Sequence, residues 1–260
     1  MIAESTRKSD KLDAQILAEF LALDMIPEAH RPTPRQREHR TLVRQRQRIQ
    51  KPITAAKNAA RRILSHCNAD IPSPFSLAGR EYVQTVPLSR ADRFAFDQII
   101  RQLAFLGEQL QEIDKELAAF AKQAPEREAQ DRQILLSIPA VGKVTADVIV
   151  SELGDVRWFS NAKKVAAYAG LVPGHRESAG KRKDLHIEKT GSRLLRWTLV
   201  EAAWRLVQRN AHWQQTFERI RQRTGHKKKA IIAIARRLRG VMSAILKSRQ
   251  MYGPRSAAAA

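Results

Sequence analysis

The chain has 260 residues, 43% of them hydrophobic, enough for one or two packed domains, and no apolar run long enough to span a bilayer. Its 47 Lys and Arg stand against 26 Asp and Glu, a formal net charge of +21 with an isoelectric point near 10.9. A field of that sign draws a polyanion and releases its counterions, so nucleic acid is the expected partner, ahead of an anionic membrane surface. The lone Cys67 excludes an internal disulfide, and without a Cys-x-x-Cys pair a structural zinc site is not expected. The N-terminal MIAESTRKSD has no apolar signal core, which points to a soluble intracellular protein.

In chain order, KSDKLDA (8–14) places Asp10 and Asp13 one turn apart at the start of a helix expected over 10–25, where Ile16, Leu17, Phe20, Leu21 and Leu23 recur at near-helical spacing. Pro27 should end it. Thr33 and Pro34 open a second helix carrying Arg35, Arg37, Arg40, Arg44, Arg46, Arg48 and Lys51, with only Glu38 against them. Pro52 should kink or interrupt that helix. The arginine density favours phosphate contacts, above all through Arg35, Arg40, Arg44 and Arg48, over a merely solvated face. Residues 68–90 are rich in turn formers and read as a connector. Phe96, Ile99, Leu103, Leu106, Leu110, Ile113, Leu117 and Phe120 then alternate spacings of three and four, a heptad seam that demands either dimerisation as a coiled coil or a partner helix in the same chain.

After Pro125 the character changes. Residues 134–154 (ILLSIPAVGKVTADVIVSELG) read as helix, PAVG turn and second helix, the order of a helix-hairpin-helix. Its turn exposes backbone N–H groups around Gly142, with Lys143 adding charge, a seat for a phosphate; an ordinary helical corner is the plain alternative. A polar, aperiodic segment follows a short helix over 161–170. Two more helices close the chain: one buries Leu195, Leu199, Ala202 and Leu206 and carries Arg193 among its outward cations, and the other is HKKKAIIAIARRLRGVMSAIL. A disordered tail is expected over 251–260.

Three groups of residues could carry chemistry. Ser178 lies beside Ala179 and Gly180, small neighbours that leave a hydroxyl accessible, amid Arg176, Lys181, Arg182 and Lys183. A serine attacking a phosphodiester needs such cations for the pentavalent charge and also a proton acceptor; the segment supplies the first and no evident second, so a turn serine is the plain reading from the residues alone. Asp10 and Asp13 could share a divalent metal, although aspartate also simply favours the first turn of a helix. Lys189, ahead of a helix in EKTGS, could reach a phosphate. Trp158, Trp197, Trp204 and Trp213 could stack bases, while their helical spacing favours core positions.

Taken together, KSDKLDAQILAEF, LLSIPAVGKVTADVIVSELGDVRWFSNAKKVAAYAGLVPGHRESAGK, IEKTGSRLLRWTLVEAAW and KKKAIIAIARRL resemble transposases of the IS-one-ten family, relatives of Piv-type DNA invertases. The resemblance implies an N-terminal RuvC-like domain with a DEDD acidic tetrad, a coiled coil, and a C-terminal transposase domain with a catalytic serine. It implies a recombinase that cuts and rejoins DNA through a phosphoserine intermediate, guided by a structured bridge RNA, as an oligomer associated with the bacterial nucleoid in the cytoplasm. Ser178 of ESAGK matches the nucleophile, and Asp10 and Asp13 match the last two acids of the tetrad, which would hold Mg²⁺. Ala179 stands where a glycine is common and His186 where a glycine is more usual.

The expected fold is therefore mainly α: a remnant of the RuvC-like domain over 1–26, a basic helical segment and connector over 27–90, a coiled coil over 91–125 joining copies into a homo-oligomer, and a transposase domain over 131–250. The first Asp and the Glu of the tetrad would precede KSDKLDA, so the expectation is half a metal site and a truncated, inactive copy. The alternative is a non-catalytic fragment that binds nucleic acid or regulates the oligomer of intact copies.

Overall fold

The computed structural model describes residues 9–26, 31–159, 162–178 and 181–253, with backbone only at 162, 163, 175–178 and 181–185. The chain divides into two units, residues 1–33 and 34–260. The first contains helix α1 (Asp10–Ala22), started by the Ser9 hydroxyl, which accepts from the Leu12 amide at 3.2 Å. Asp10 and Asp13 lie in its first turn, where carboxylates complement the helix dipole. None of its residues is buried, and Leu17 and Leu21 are exposed.

The second unit begins with α2 (Pro34–His66), a helix of 33 residues, and continues through α3 (Leu77–Thr85) to α4 (Arg90–Lys122), also 33 residues. Their contacts run in opposite senses along the two long helices: Ala60 and Leu64 meet Phe96, Ile49 and Ile53 meet Leu106, and Val43 meets Leu117. That order defines an antiparallel pair about 50 Å long. Arg46 adds a 2.6 Å ion pair to Asp114 across it. The heptad seam of α4 thus finds a partner in α2 of the same chain. The connector over 68–90 is also more ordered than its composition implies. Ser76 caps α3 by accepting from the Gly79 amide, and Val83 and Val86 pack into the cluster around Phe96.

Pro52 does not interrupt α2, which runs on through it. Proline lacks the N–H that would bond to the carbonyl four residues back, so the helix leaves the Arg48 carbonyl without its helical donor. Both residues are exposed, and water is available to that oxygen.

The main core is built by α5 (Glu126–Leu136), α6 (Lys143–Leu153), α7 (Ala162–Tyr168), α8 (Arg193–Arg209), α9 (Ala211–Thr224) and α10 (Lys227–Ser248), with a 3-10 turn at Val156–Trp158. Leu195, Leu199, Ala202 and Leu206 of α8 are all buried there, as the spacing predicts, against Ile234, Leu238 and Met242 of α10. Trp213 is buried in the same core and donates through Nε1 to the Tyr252 hydroxyl at 3.1 Å. The fold is mainly α.

One element departs from that class. Strands β1 (Pro173–Ser178) and β2 (Lys181–Ile187) form an antiparallel hairpin in the segment that reads as aperiodic and polar. Its feet are tightly joined. The Ser192 amide donates to the Tyr168 carbonyl at 3.0 Å and the Lys189 amide to the Gly170 carbonyl at 3.3 Å. Gly170 and Gly191 sit at φ +63 and +81, and a Cβ on either would come within 2.1 Å of a backbone carbonyl oxygen across the joint, Thr190 for one and Tyr168 for the other. No helix among the described residues is long and apolar enough to cross a membrane.

Candidate nucleic-acid interface

Helix α2 carries two stripes. Val43, Ile53, Ala56, Ala60 and Leu64 are buried, while Arg44, Arg48, Lys51, Ala55 and Asn58 follow each other at intervals of three and four along a separate line. Helix α8 supplies the facing wall. Ser192 caps it by accepting from the Leu195 amide at 3.2 Å, and Arg193 and Trp197 fall one turn apart, off the buried Leu195–Leu199 face. Together these residues line an open groove of about 740 Å³. A second hollow of about 400 Å³ lies on the other side of Trp197, bounded by Val144 and Thr145 near the start of α6 and by Arg46 and Arg205. Trp197 borders both and is 46% exposed.

Four cations line the main groove against one carboxylate, Glu152. Arg44 donates through Nε and Nη2 to Glu152 Oε1 at 3.2 and 3.0 Å. Among the described residues, Arg48, Lys51 and Arg193 are exposed and form no ion pair. The Glu152 side chain is fully buried while that of Arg44 is 54% exposed, so the two halves of the pair are not equivalent. Removing Arg44 strands a carboxylate away from water; neutralising Glu152 leaves a guanidinium that water can solvate. Arg44→Ala should therefore cost about 2–3 kcal/mol of stability and Glu152→Gln about 1 kcal/mol. Urea unfolding of the two variants checks this, and an equal or reversed order would contradict it.

The other predicted phosphate ligands on α2 have internal duties. Arg35 donates to Glu128 at 2.8 Å and to the Phe120 carbonyl at 2.9 Å, with its guanidinium 4.0 Å from the Phe120 ring centroid. Arg40 donates to the Ser151 and Glu152 carbonyls at 2.8 and 2.7 Å, closing the last turn of α6. Burial pushes the neighbouring Tyr168 phenol up, with the Arg40 guanidinium pulling the other way. Beneath them runs a buried network: Arg132 of α5 donates to Asp147 of α6 at 2.8 and 2.6 Å, and His39 Nε2 of α2 lies 3.6 Å from the same Asp147 oxygen. This network fixes the wall on which the groove is built.

The remaining candidates are distributed as follows. Gly142 begins α6 without a side-chain cap, and it and Lys143 are exposed, so the first-turn amides face solvent. Lys189 is exposed at φ +60 in the foot of the hairpin. Ser178 is the last residue of β1 and pairs with Lys181, the first of β2; Arg176 pairs with Lys183, and Glu177 with Arg182. Their side chains, with Ala179 and Gly180, lie outside the described residues. Asp10 and Asp13 are an exposed and a half-buried carboxylate on α1, and among the described residues no third His, Cys, Asp or Glu completes a metal-holding group. The pair by itself falls short of the six-oxygen shell of Mg²⁺.

Of the basic residues singled out from sequence, the structure brings Arg44, Arg48 and Arg193 to one groove. Asn58 and Trp197 were missed as partners of that groove. The signal was available: Trp197 falls two residues from Leu195, the opposite side of a helix, and Asn58 continues the Arg44–Lys51 interval. Of the other tryptophans, Trp213 is core, Trp204 packs on Phe217 with ring centroids 5.6 Å apart, and Trp158 is exposed.

Residues 132–218 match the model of the transposase IS116/IS110/IS902 family. A transposase for insertion sequence element IS1111A from Coxiella burnetii is 27% identical over 211 residues, 78% of this chain and 56% of its own length. A transposase for insertion sequence element IS1328 from Yersinia enterocolitica is 27% identical over 211 residues, 78% of this chain and 60% of its own. A pilin gene-inverting protein of Moraxella bovis is 32% identical over 124 residues, 47% of this chain and 38% of its own. The aligned part of the chain thus spans a little over half the length of the two transposases.

Proposed function

Because this chain belongs to the IS116/IS110/IS902 transposase family through residues 132–218, we propose that it is the part of a DNA recombinase that performs strand exchange with Ser178 as nucleophile. The observation that carries the reading is that the family match contains the whole β1–β2 hairpin, with Ser178 at the end of β1 and Lys181 paired to it. Ser178 Oγ attacks a backbone phosphorus, the bond to one strand end breaks, and that end leaves as a hydroxyl. The proton that Ser178 loses is matched by the one the departing strand end gains, and attack by a second strand's hydroxyl on the phosphoserine then forms the new phosphodiester, completes the exchange and returns a proton to the freed serine. Arg176 and Lys181 share the Ser178 face of the hairpin by register and neutralise the charge that builds on the phosphate oxygens, while Arg182, paired with Glu177, falls on the other face and contacts the flanking DNA backbone. The solvent-facing amides at Gly142 and Lys143 seat a phosphate of the same DNA in a helix-hairpin-helix manner, and a structured guide RNA selects the site.

The test is to incubate the chain with a randomised duplex library, with and without the RNA that co-purifies with it, and to denature the mixture. A covalent protein–DNA species that Ser178→Ala abolishes supports the reading. Nucleic-acid binding without any such species reduces the chain to a non-catalytic binding module. Mg²⁺ would be held by Asp10 and Asp13 as two ligands of an incomplete shell, so the chain alone should bind it weakly. Calorimetry showing tight stoichiometric binding that Asp10→Ala removes would overturn that expectation.

A further inference from the structure

The groove between α2 and α8 combines features that a duplex does not need. It is concave, and the Trp197 indole stands in it 46% exposed and without an aromatic stacking partner among the described residues. Unpaired cations flank the indole on both walls: Arg48 and Lys51 from α2, Arg193 from α8. Arg44 to Asn58 covers about 21 Å of helix, room for several nucleotides of an extended strand. The volume, about 740 Å³, lies within the range that encloses compact ligands. In a duplex every base already has stacked neighbours, and a concave slot cannot enter its grooves. An unpaired base has a free π face, and an exposed Trp beside a cationic track is the usual means of binding it without regard to sequence.

The geometry points to this groove as a site for single-stranded nucleic acid, with one base stacked on Trp197, its flanking phosphates on Arg48, Lys51 and Arg193, and the Asn58 amide within the same slot. The site rests on the nucleic-acid part of the functional reading and is independent of Ser178. An acidic protein segment would satisfy the cations and leave the indole unused. In a strand-exchange protein, such a slot holds a strand that has been separated from its complement.

The experiment is fluorescence anisotropy with a labelled oligothymidylate and, separately, a labelled duplex of equal length. Trp197→Ala should weaken oligothymidylate binding about tenfold and leave duplex binding unchanged, while Trp197→Phe, which keeps a ring, should restore most of the loss. Lys51→Ala should weaken both and reduce the slope of log affinity on log salt by about 1. Circular dichroism and urea unfolding confirm that Trp197→Ala folds as the parent does. Unchanged oligothymidylate affinity in Trp197→Ala overturns the site, as does an equal loss on both ligands, or poly-glutamate competing as well as the oligonucleotide. If that happens while Ser178 still forms its adduct, the slot fails and the recombinase reading stands. If Trp197→Ala behaves as expected and no adduct forms, the slot stands and the recombinase reading fails.

Discussion

Ser178→Ala should abolish covalent attachment to DNA while leaving non-covalent affinity within about twofold, because phosphate contacts, not one hydroxyl, dominate binding. The substitution removes the only atom proposed to bond to phosphorus, so the expected effect is complete loss. Ser178→Cys keeps a nucleophile of different size and acidity and should give slow or faint attachment. Lys181→Ala should slow the chemistry without abolishing it. Its backbone is paired with Ser178 across the hairpin, and if it supplies the proposed charge stabilisation its removal should lower the rate of attachment about 10²–10³-fold. Timed denaturing gels on the three variants read these outcomes. An adduct that persists in Ser178→Ala would place the nucleophile on another residue.

Asp147→Ala should lower the unfolding free energy by about 3–5 kcal/mol. Asp147 and Arg132 are each 8% exposed, and Arg132 points two donors at one carboxylate oxygen. Removing the acid leaves a largely buried guanidinium with only the long ion pair to Glu128. Arg132 also lies 3.9 Å from Glu128, which is too long to replace the lost bonds. The double variant Arg132→Met, Asp147→Leu removes both charges at similar volume and should recover much of the loss. Equilibrium urea unfolding of the two single variants and the double variant completes the cycle. Simple additivity would mean that the pair contributes no mutual interaction. Since this pair helps hold α5 to α6, and His39 of α2 abuts it, the Asp147→Ala variant should also bind oligonucleotides less well at temperatures where the parent is fully folded.

The apolar faces of α4, α8 and α10 were legible because helical periodicity records burial directly. Leu195, Leu199, Ala202 and Leu206 are buried as their spacing requires. The seam from Phe96 to Phe120 was equally legible as a seam, but periodicity says only that a partner exists, not which helix it is. That partner, α2, is disguised because its buried line of Val43, Ile49, Ile53, Ala56, Ala60 and Leu64 runs between many arginines, so its apolar stripe is diluted in the sequence. Of the two expectations for Pro52, interruption fails because its cost falls on a carbonyl, and an exposed carbonyl has water in place of its helical donor. The hairpin had no readable signal. A strand announces itself by alternating apolar residues when one face is buried, and GHRESAGKRKDLH has almost none. The groove went unseen for a related reason: it is assembled from two helices separated by more than a hundred residues of sequence, and only the fold sets Arg193 and Trp197 opposite Arg48 and Lys51.

The joined feet of the hairpin have an evolutionary consequence. Chain leaves the core at Gly170 and returns at Gly191, and the contacts between Tyr168, Gly170, Lys189 and Ser192 close that port whatever lies beyond it. Loop-closure entropy rises only logarithmically with length, so residues inserted or deleted beyond the core-anchored Leu171 and Ile187 cost the remainder of the molecule little. Lineages can thus exchange, lengthen or shorten the hairpin tip as a module while the helical body stays intact, whereas a side chain at either glycine would break the port itself.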